Sequence, residues 1–364
     1  MSAHPILDLV QDHDVKQAKG FRAAAERITG ASLEAAYQQE VAAAPKRSEQ
    51  GLAHLGVRTG RRAKARQHGK DERHLAEAIA RAAKAGNLTA PNRPLELPTG
   101  EPLTIVDHNV PIRLGRPAAA DAPSGDADPN AELEDIPLLG MLGEDRPAVV
   151  VLKFIDADSN RSGANDTPLR LLLQGIAHAA AYDANRVALR EEIAKATGKT
   201  TGDEAPAVIV AASPRYWELC RKREAQKGAA WIREVERIGR EAAEAIGCEV
   251  FFVALSTHGQ PGWTYDDDGA VLTGPIALAK AWEGSAGKLK AKPKTTKKSE
   301  PAVVLVEADP DQPARRYSIR DTYAVADKID HPKLGEGVVQ ELSGRDKILV
   351  LFAGEKKLLV HGRV

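Results

Sequence analysis

The run Ala148-Val149-Val150-Val151-Leu152-Lys153-Phe154-Ile155 carries a single charge, at Lys153, so an extended chain here is apolar on both sides. A strand of that kind belongs inside a sheet covered on both faces, which calls for helices above and below it. The neighbouring sequence supplies both kinds of element. Short apolar runs LTIV from Leu103, VPIRL from Val110 and IPLLGML from Ile136 read as further strands, and Pro117 to Asn130 reads as a polar loop between two of them. Leu169, Leu172, Leu173, Ile176 and Ala180 then follow helical spacing behind Thr167 and Pro168, a capping residue and a favoured first-turn residue. The alternation continues with a helix over 185–197, a strand over 205–212, a helix from Pro214 to Ile246 and a strand over 248–256. Strands alternating with helices predict an α/β domain.

The segment ERHLAEAIARAAKAG ahead of the strands puts Leu75, Ile79 and Ala82 on one face and stops at Gly86, a residue suited to a helix C-terminus. Residues 1–70 are rich in Ala, Glu, Gln, Lys and Arg and are expected to be helical. Beyond Gly284 the chain reads GSAGKLKAKPKTTKKSEP, with one leucine and no other core-forming side chain, which predicts a linker over 284–301. Residues 302–364 hold strand-like runs at 323–329, 336–342, 347–353 and 356–361, separated by HPKLGEG, SGRD and AGEK. Strands this short and close predict an SH3-like β-barrel. The expected organisation is therefore 1–70 helical and basic, 71–283 α/β, 284–301 linker and 302–364 barrel.

Charge bears on partners only locally, because 51 basic and 51 acidic side chains cancel over the 364 residues. Basic clusters lie at Arg58, Arg61, Arg62, Lys64, Arg66, Lys70 and Arg73, expected to be helical, and from Lys288 to Lys298 in the linker. Cys220 and Cys248 are the only cysteines, too few for a disulfide framework or a cysteine zinc site, so a reducing, cytoplasmic setting is expected. No apolar run is long enough to span a bilayer, and the first residues are acidic where a signal peptide is basic. No GxxxxGK[ST], HExxH or GxSxG motif occurs, and TYDDDG at 264–269 lacks the remaining EF-hand spacing and reads as a hairpin turn. His331 and His361 are isolated and are expected to cap or pack.

The order helix, strand, hairpin reading IPLLGMLGEDRPAVVVLKF, and helix reading LRLLLQGIAHAAAY resembles the PD-(D/E)XK nuclease fold over Asp71 to Ser256. The resemblance implies an α/β fold with a restriction-endonuclease-like mixed sheet flanked by helices. In the active members of that family, an acidic residue on the first hairpin strand and a Glu two residues before a Lys on the second hold a divalent cation that activates water. Here those positions are Pro137 and Val151; Lys153 is in register, with Gln174 on the next helix. Neither proline nor valine can ligate a cation. The resemblance thus implies a degenerate nuclease without a cofactor. If the chain is active, Lys153, Gln174 and Asp135 are its catalytic residues, and Asp135 and Asp156 are relocated magnesium ligands.

The phrase HPKLGEGVV, with LVLF and LVHG, resembles the Tudor-like modules of CarD-type regulators and UvrD-type helicases, whose implied partner is a DNA-bound complex such as RNA polymerase. Three functions follow as expectations. One is a nucleic-acid-associated, inactive nuclease fold that binds DNA through Arg58, Arg61, Arg62, Lys64 and Arg66. The others are an active magnesium-dependent endonuclease and a protein scaffold without a nucleic-acid role. Enzyme activity is the less favoured outcome.

Overall fold

The computed structural model describes residues 4–10, 18–58, 62–112, 133–160, 167–224, 231–282, 306, 308, 312–343 and 346–362. The linker lysines and Arg61 lie outside these residues. The chain divides into two compact units, Met1–Ala286 and Gly287–Val364.

The first unit is built on a mixed six-stranded sheet in the order β1-β2-β3-β4-β5-β8, with β1 Leu103–Val110, β2 Ile136–Leu142, β3 Arg146–Lys153, β4 Ala207–Ala212, β5 Val250–Ser256 and β8 Ala277–Lys280. β3, β4 and β5 run parallel; β1, β2 and β8 are antiparallel to their neighbours. All six residues from Pro147 to Leu152 are buried, as the double-sided apolar run predicts. Alternation divides them. Val149 and Val151 point into a core beneath helices α1 Ala18–Arg27, α2 Gly30–Ala43, α4 Pro168–Ala184 and α7 Trp231–Ile246, with α5 Arg186–Thr197 and α6 Pro214–Glu224 beside them. Ala148, Val150 and Leu152 point into a second core beneath α3 Asp71–Lys84 and the hairpin of β6 Trp263–Asp266 and β7 Gly269–Leu272.

Local chemistry sets the ends of these elements. Thr29 and Ser32 cap α2 reciprocally, and the Thr167 hydroxyl accepts the Arg170 N–H to open α4. At the end of α3, Gly86 takes φ +71° while the Asn87 N–H reaches the Ala82 carbonyl, satisfying orphan acceptors of the last turn. TYDDDG is a hairpin turn between β6 and β7.

Several expectations are corrected. LTIV runs on to the first residue of VPIRL: β1 ends at Val110, Asn109 adopts φ +45° and Pro111 has no N–H to donate, and Arg113 and Leu114 lie outside the described residues. The stretch Pro214 to Ile246 holds two helices, Pro214–Glu224 and Trp231–Ile246, with 225–230 outside the described residues. Residues 62–70 are bends, turns and irregular chain rather than helix; Gly69, at φ +75°, comes just before α3 starts at Asp71. The helices of the N-terminal 70 residues are not a separate layer of their own: Ile6, Ile28, Leu33 and Tyr37 share the core of α4 and α7.

The second unit holds a five-stranded sheet in the order β13-β12-β11-β10-β9, comprising β9 Arg315–Arg316, β10 Lys328–His331, β11 Gly335–Leu342, β12 Lys347–Phe352 and β13 Glu355–Val360. Its own core is Tyr323, Ile329, Val339, Ile348, Val350 and Phe352. The strand expected over 323–329 begins only at Lys328, because Ala326 turns at φ +79° and the Asp327 carboxylate accepts the Ala324 N–H. His361 Nδ1 accepts the Tyr323 N–H and His331 packs on Tyr317, so both histidines cap or pack. A Cβ at Gly337 would lie 2.5 Å from the Phe352 ring and 2.8 Å from Val350 Cγ1. We expect Gly337→Ala to lower or abolish the melting transition of this unit and to leave that of Met1–Ala286 in place; a full-chain melt in which both transitions move together would contradict the division into two units.

Candidate functional site

β3 and β4 run parallel and end side by side at Lys153 and Ala212. Lys153 stands there, with α4 starting from Thr167 after β3 and α6 starting from Pro214 after β4. Strand alternation puts the Lys153 stem on the α4 side with Val151, and the four-carbon chain carries its ammonium around the strand end. It meets Glu72 Oε1, on the first turn of α3, at 2.9 Å. The same Glu72 carboxylate accepts the Phe154 N–H at 3.1 Å. One acidic side chain thus ties the start of α3 to the end of β3, and the pair is mostly shielded, with 17% and 26% of the side chains exposed.

Beside it lies a second cluster. The Arg66 guanidinium donates to Asp71 Oδ1 at 2.6 Å and to both Asp156 oxygens at 3.0 and 2.9 Å, a bidentate pairing that planar guanidinium geometry favours. It also lies over the Phe154 and Trp263 rings, at 5.8 and 5.7 Å. Hydrogen bonds to Asp71 and then Asp156 raise the Arg66 pKa further. Trp263 and His74 both bond the Tyr265 hydroxyl, and burial holds the His74 pKa below its usual value.

The positions that the family pattern gives to metal ligands are used otherwise. Val151 is 2% exposed and packs against Gly175 of α4, and Pro137 lies in β2 with only an alkyl ring to offer. Asp156 faces Arg66. Asp135 acts on Arg47, whose pKa burial lowers while the charges of Asp135 and Glu192 oppose the shift. Among the described residues no group of three or more His, Cys, Asp or Glu side chains is arranged to hold a metal ion. Gln174 is partly buried on α4, one residue before the glycine that packs on Val151.

The expected nucleic-acid cluster is neutralised in part within the fold, at Arg58 and Arg66. Arg58 bonds Asp107 Oδ1 at 2.6 Å; burial opposes that carboxylate's ionisation, but Arg58 and the Gly56 N–H outweigh it and hold the Asp107 pKa below the usual range. Burial first, and the Arg58 charge second, push the neighbouring His108 down to about 4. Arg62 pairs with Asp268 at 2.7 Å, both side chains 68% exposed, a pairing worth little in water. Lys64 and Lys70 are exposed and have no carboxylate partner among the described residues.

Sequence reading singled out Lys153 but missed Glu72. Its only signal is its place, an acidic residue in the first turn of a helix preceding the hairpin, which helix-dipole stabilisation explains equally well. Among the described residues no helix is long and apolar enough to cross a membrane. No family model, curated protein or solved structure matches this chain.

Proposed function

We propose that this chain is a nucleic-acid-associated protein whose first unit is a restriction-endonuclease-like domain with a degenerate active site, and whose second is an SH3-like interaction module. The observation that carries the reading is the succession α3, β1, the β2–β3 hairpin, α4 and β4, with Lys153 at the carboxyl end of β3 and valine at the position two residues before it. Val151 fills a packing role that a carboxylate could not fill without burying a charge. Lys153, paired with Glu72, is then a positioning group at the end of β3 rather than a base serving a metal. The second unit reads as a partner-binding module, for a DNA-bound complex of the RNA polymerase kind, and the two free cysteines fit a reducing cytoplasm.

Binding should be weak and electrostatic. With Arg58 and Arg66 tied to carboxylates, the cations left to meet phosphates among the described residues of 58–70 are Arg62, Lys64 and Lys70. About three phosphate contacts give a log-log salt slope of roughly −2.7 on duplex DNA, with a Kd on the order of micromolar at low salt. Replacing Lys64 and Lys70 by alanine should flatten the slope by about two units in fluorescence anisotropy without moving the melting temperature. Binding that ignores salt, or no binding, would favour a protein scaffold. The full chain with magnesium or manganese should leave supercoiled DNA intact; cleavage that disappears in Lys153→Ala would establish an active site instead.

A further inference from the structure

An antiparallel sheet with one face on its core normally shows polar side chains to water on the other. The sheet of the second unit departs from that rule. Ile329, Val339, Ile348, Val350 and Phe352 fill its inner face. Register then sets the opposite face: Val338 pairs with Leu351 and Leu349 with Leu358, while Lys347 pairs with Val360 and Leu351 with Lys356. Paired residues share a side, so an aliphatic stripe of Val338, Leu351, Leu349 and Leu358 crosses three strands. Val338, Leu349 and Leu351 are half-buried and Leu358 is 54% exposed. Of the six large hydrophobic side chains exposed among the described residues, five belong to this small unit: Ile319, Val325, Leu334, Leu342 and Leu358. Of these, Leu358 belongs to the stripe; Leu342 pairs with Ile348 and so lies on the inner side, and Ile319, Val325 and Leu334 lie outside the strands.

We infer that this outer face docks a protein segment carrying aliphatic and acidic side chains. The face itself selects that chemistry. Lys347 and Lys356 stand exposed on β12 and β13 at the flanks of the stripe, so the partner's acidic groups lie over those strands. Asp330 and Glu336 pair at the far end on β10 and β11, so the partner's acids avoid that end, while Glu341, opposite Leu349, lies beside Lys347 and leaves Lys356 as the lysine that meets them. Nucleic acid fits poorly, because the stripe is aliphatic and offers no ring for a base to stack on.

This inference rests on the reading of the second unit as an interaction module. Its test is selection of a random 16-residue peptide display library on the full chain, followed by affinity measurement on the Leu358→Ser and Lys356→Glu variants, both altered at exposed positions. Enriched peptides should be acidic and aliphatic, bind the parent chain at least tenfold more tightly than Leu358→Ser, and lose affinity in Lys356→Glu and with rising salt. Neither substitution should change the salt slope of DNA binding, so the two readings fail separately. Basic or neutral enriched peptides, equal binding to the variants, or no enrichment would overturn the inference. Duplex binding lost in Leu358→Ser would assign the face to nucleic acid, and a dimer in sedimentation velocity dissociated by that substitution would assign it to a second copy.

Discussion

Gly175→Ala should be among the most damaging single changes in the first unit, although it adds only one methyl group. A Cβ at this position of α4 would lie 2.4 Å from Val208 Cγ1 on β4 and 3.2 Å from Val151 Cγ2 on β3. Both valines are at most 2% exposed and sit between strands whose spacing hydrogen bonds fix, so neither can move aside cheaply. Overpacking of this kind costs about 1–3 kcal/mol, and more where the neighbours cannot yield. Chemical denaturation of the full chain should show the first transition shifted and the second unchanged. The companion substitution Val208→Ala removes the clashing methyl, so the double variant should be less destabilised than the two single changes summed. A Gly175→Ala protein as stable as the parent would mean that α4 does not approach β3 and β4 this closely.

Acid should weaken the same unit through His178. Its side chain is fully buried on α4 and neither ring nitrogen has a hydrogen-bond partner among the described residues. Burial, reinforced by the neighbouring His4, pushes its pKa down from 6.5 to about 3. Between those values the unfolded chain binds a proton that the folded one refuses, so stability is full above about pH 6.5 and falls as pH drops toward 3. At 1.36 kcal/mol per unit, the loss from this one group is roughly 3 kcal/mol by pH 4. His108, also held down by burial, adds to it in the same direction. His178→Leu removes the titrating group and the unpaired ring nitrogens together. Urea midpoints should show the variant at least as stable at pH 7 and with a shallower acid limb; an acid limb identical to the parent's would remove His178 from the account.

How much of the candidate site could be read in advance differs residue by residue. Lys153 was legible because it is the one charge in an apolar run, and a charge at that point must lie at a strand end or find a partner. The partner was not legible, since Glu72 lies 81 positions away in sequence and meets Lys153 only once α3 is laid across the sheet. Arg66 shows the opposite limit. Its neighbours in sequence suggested a basic face, but Asp71, Asp156 and the Phe154 and Trp263 rings reach it from separate elements and neutralise the charge that phosphate would need. Counting cations along a chain overstates a basic patch for that reason: carboxylates that cancel them arrive through the fold.

The sequence by itself determined the mixed α/β layering of the first unit and the separate strand-rich unit after the lysine-rich stretch. Periodicity decides which faces must be buried, and capping residues such as Thr167 and Gly86 decide where helices start and stop, all through interactions a few residues apart. Only the tertiary structure decided that the N-terminal helices complete the first unit's core, that β1 ends at Val110, and that Glu72 answers Lys153. It also left the outer face of the second sheet aliphatic beside two exposed lysines. Each of these depends on which apolar surfaces compete for the same neighbour and which opposite charges end within bonding distance, and distance in space is set by packing rather than by position in the chain.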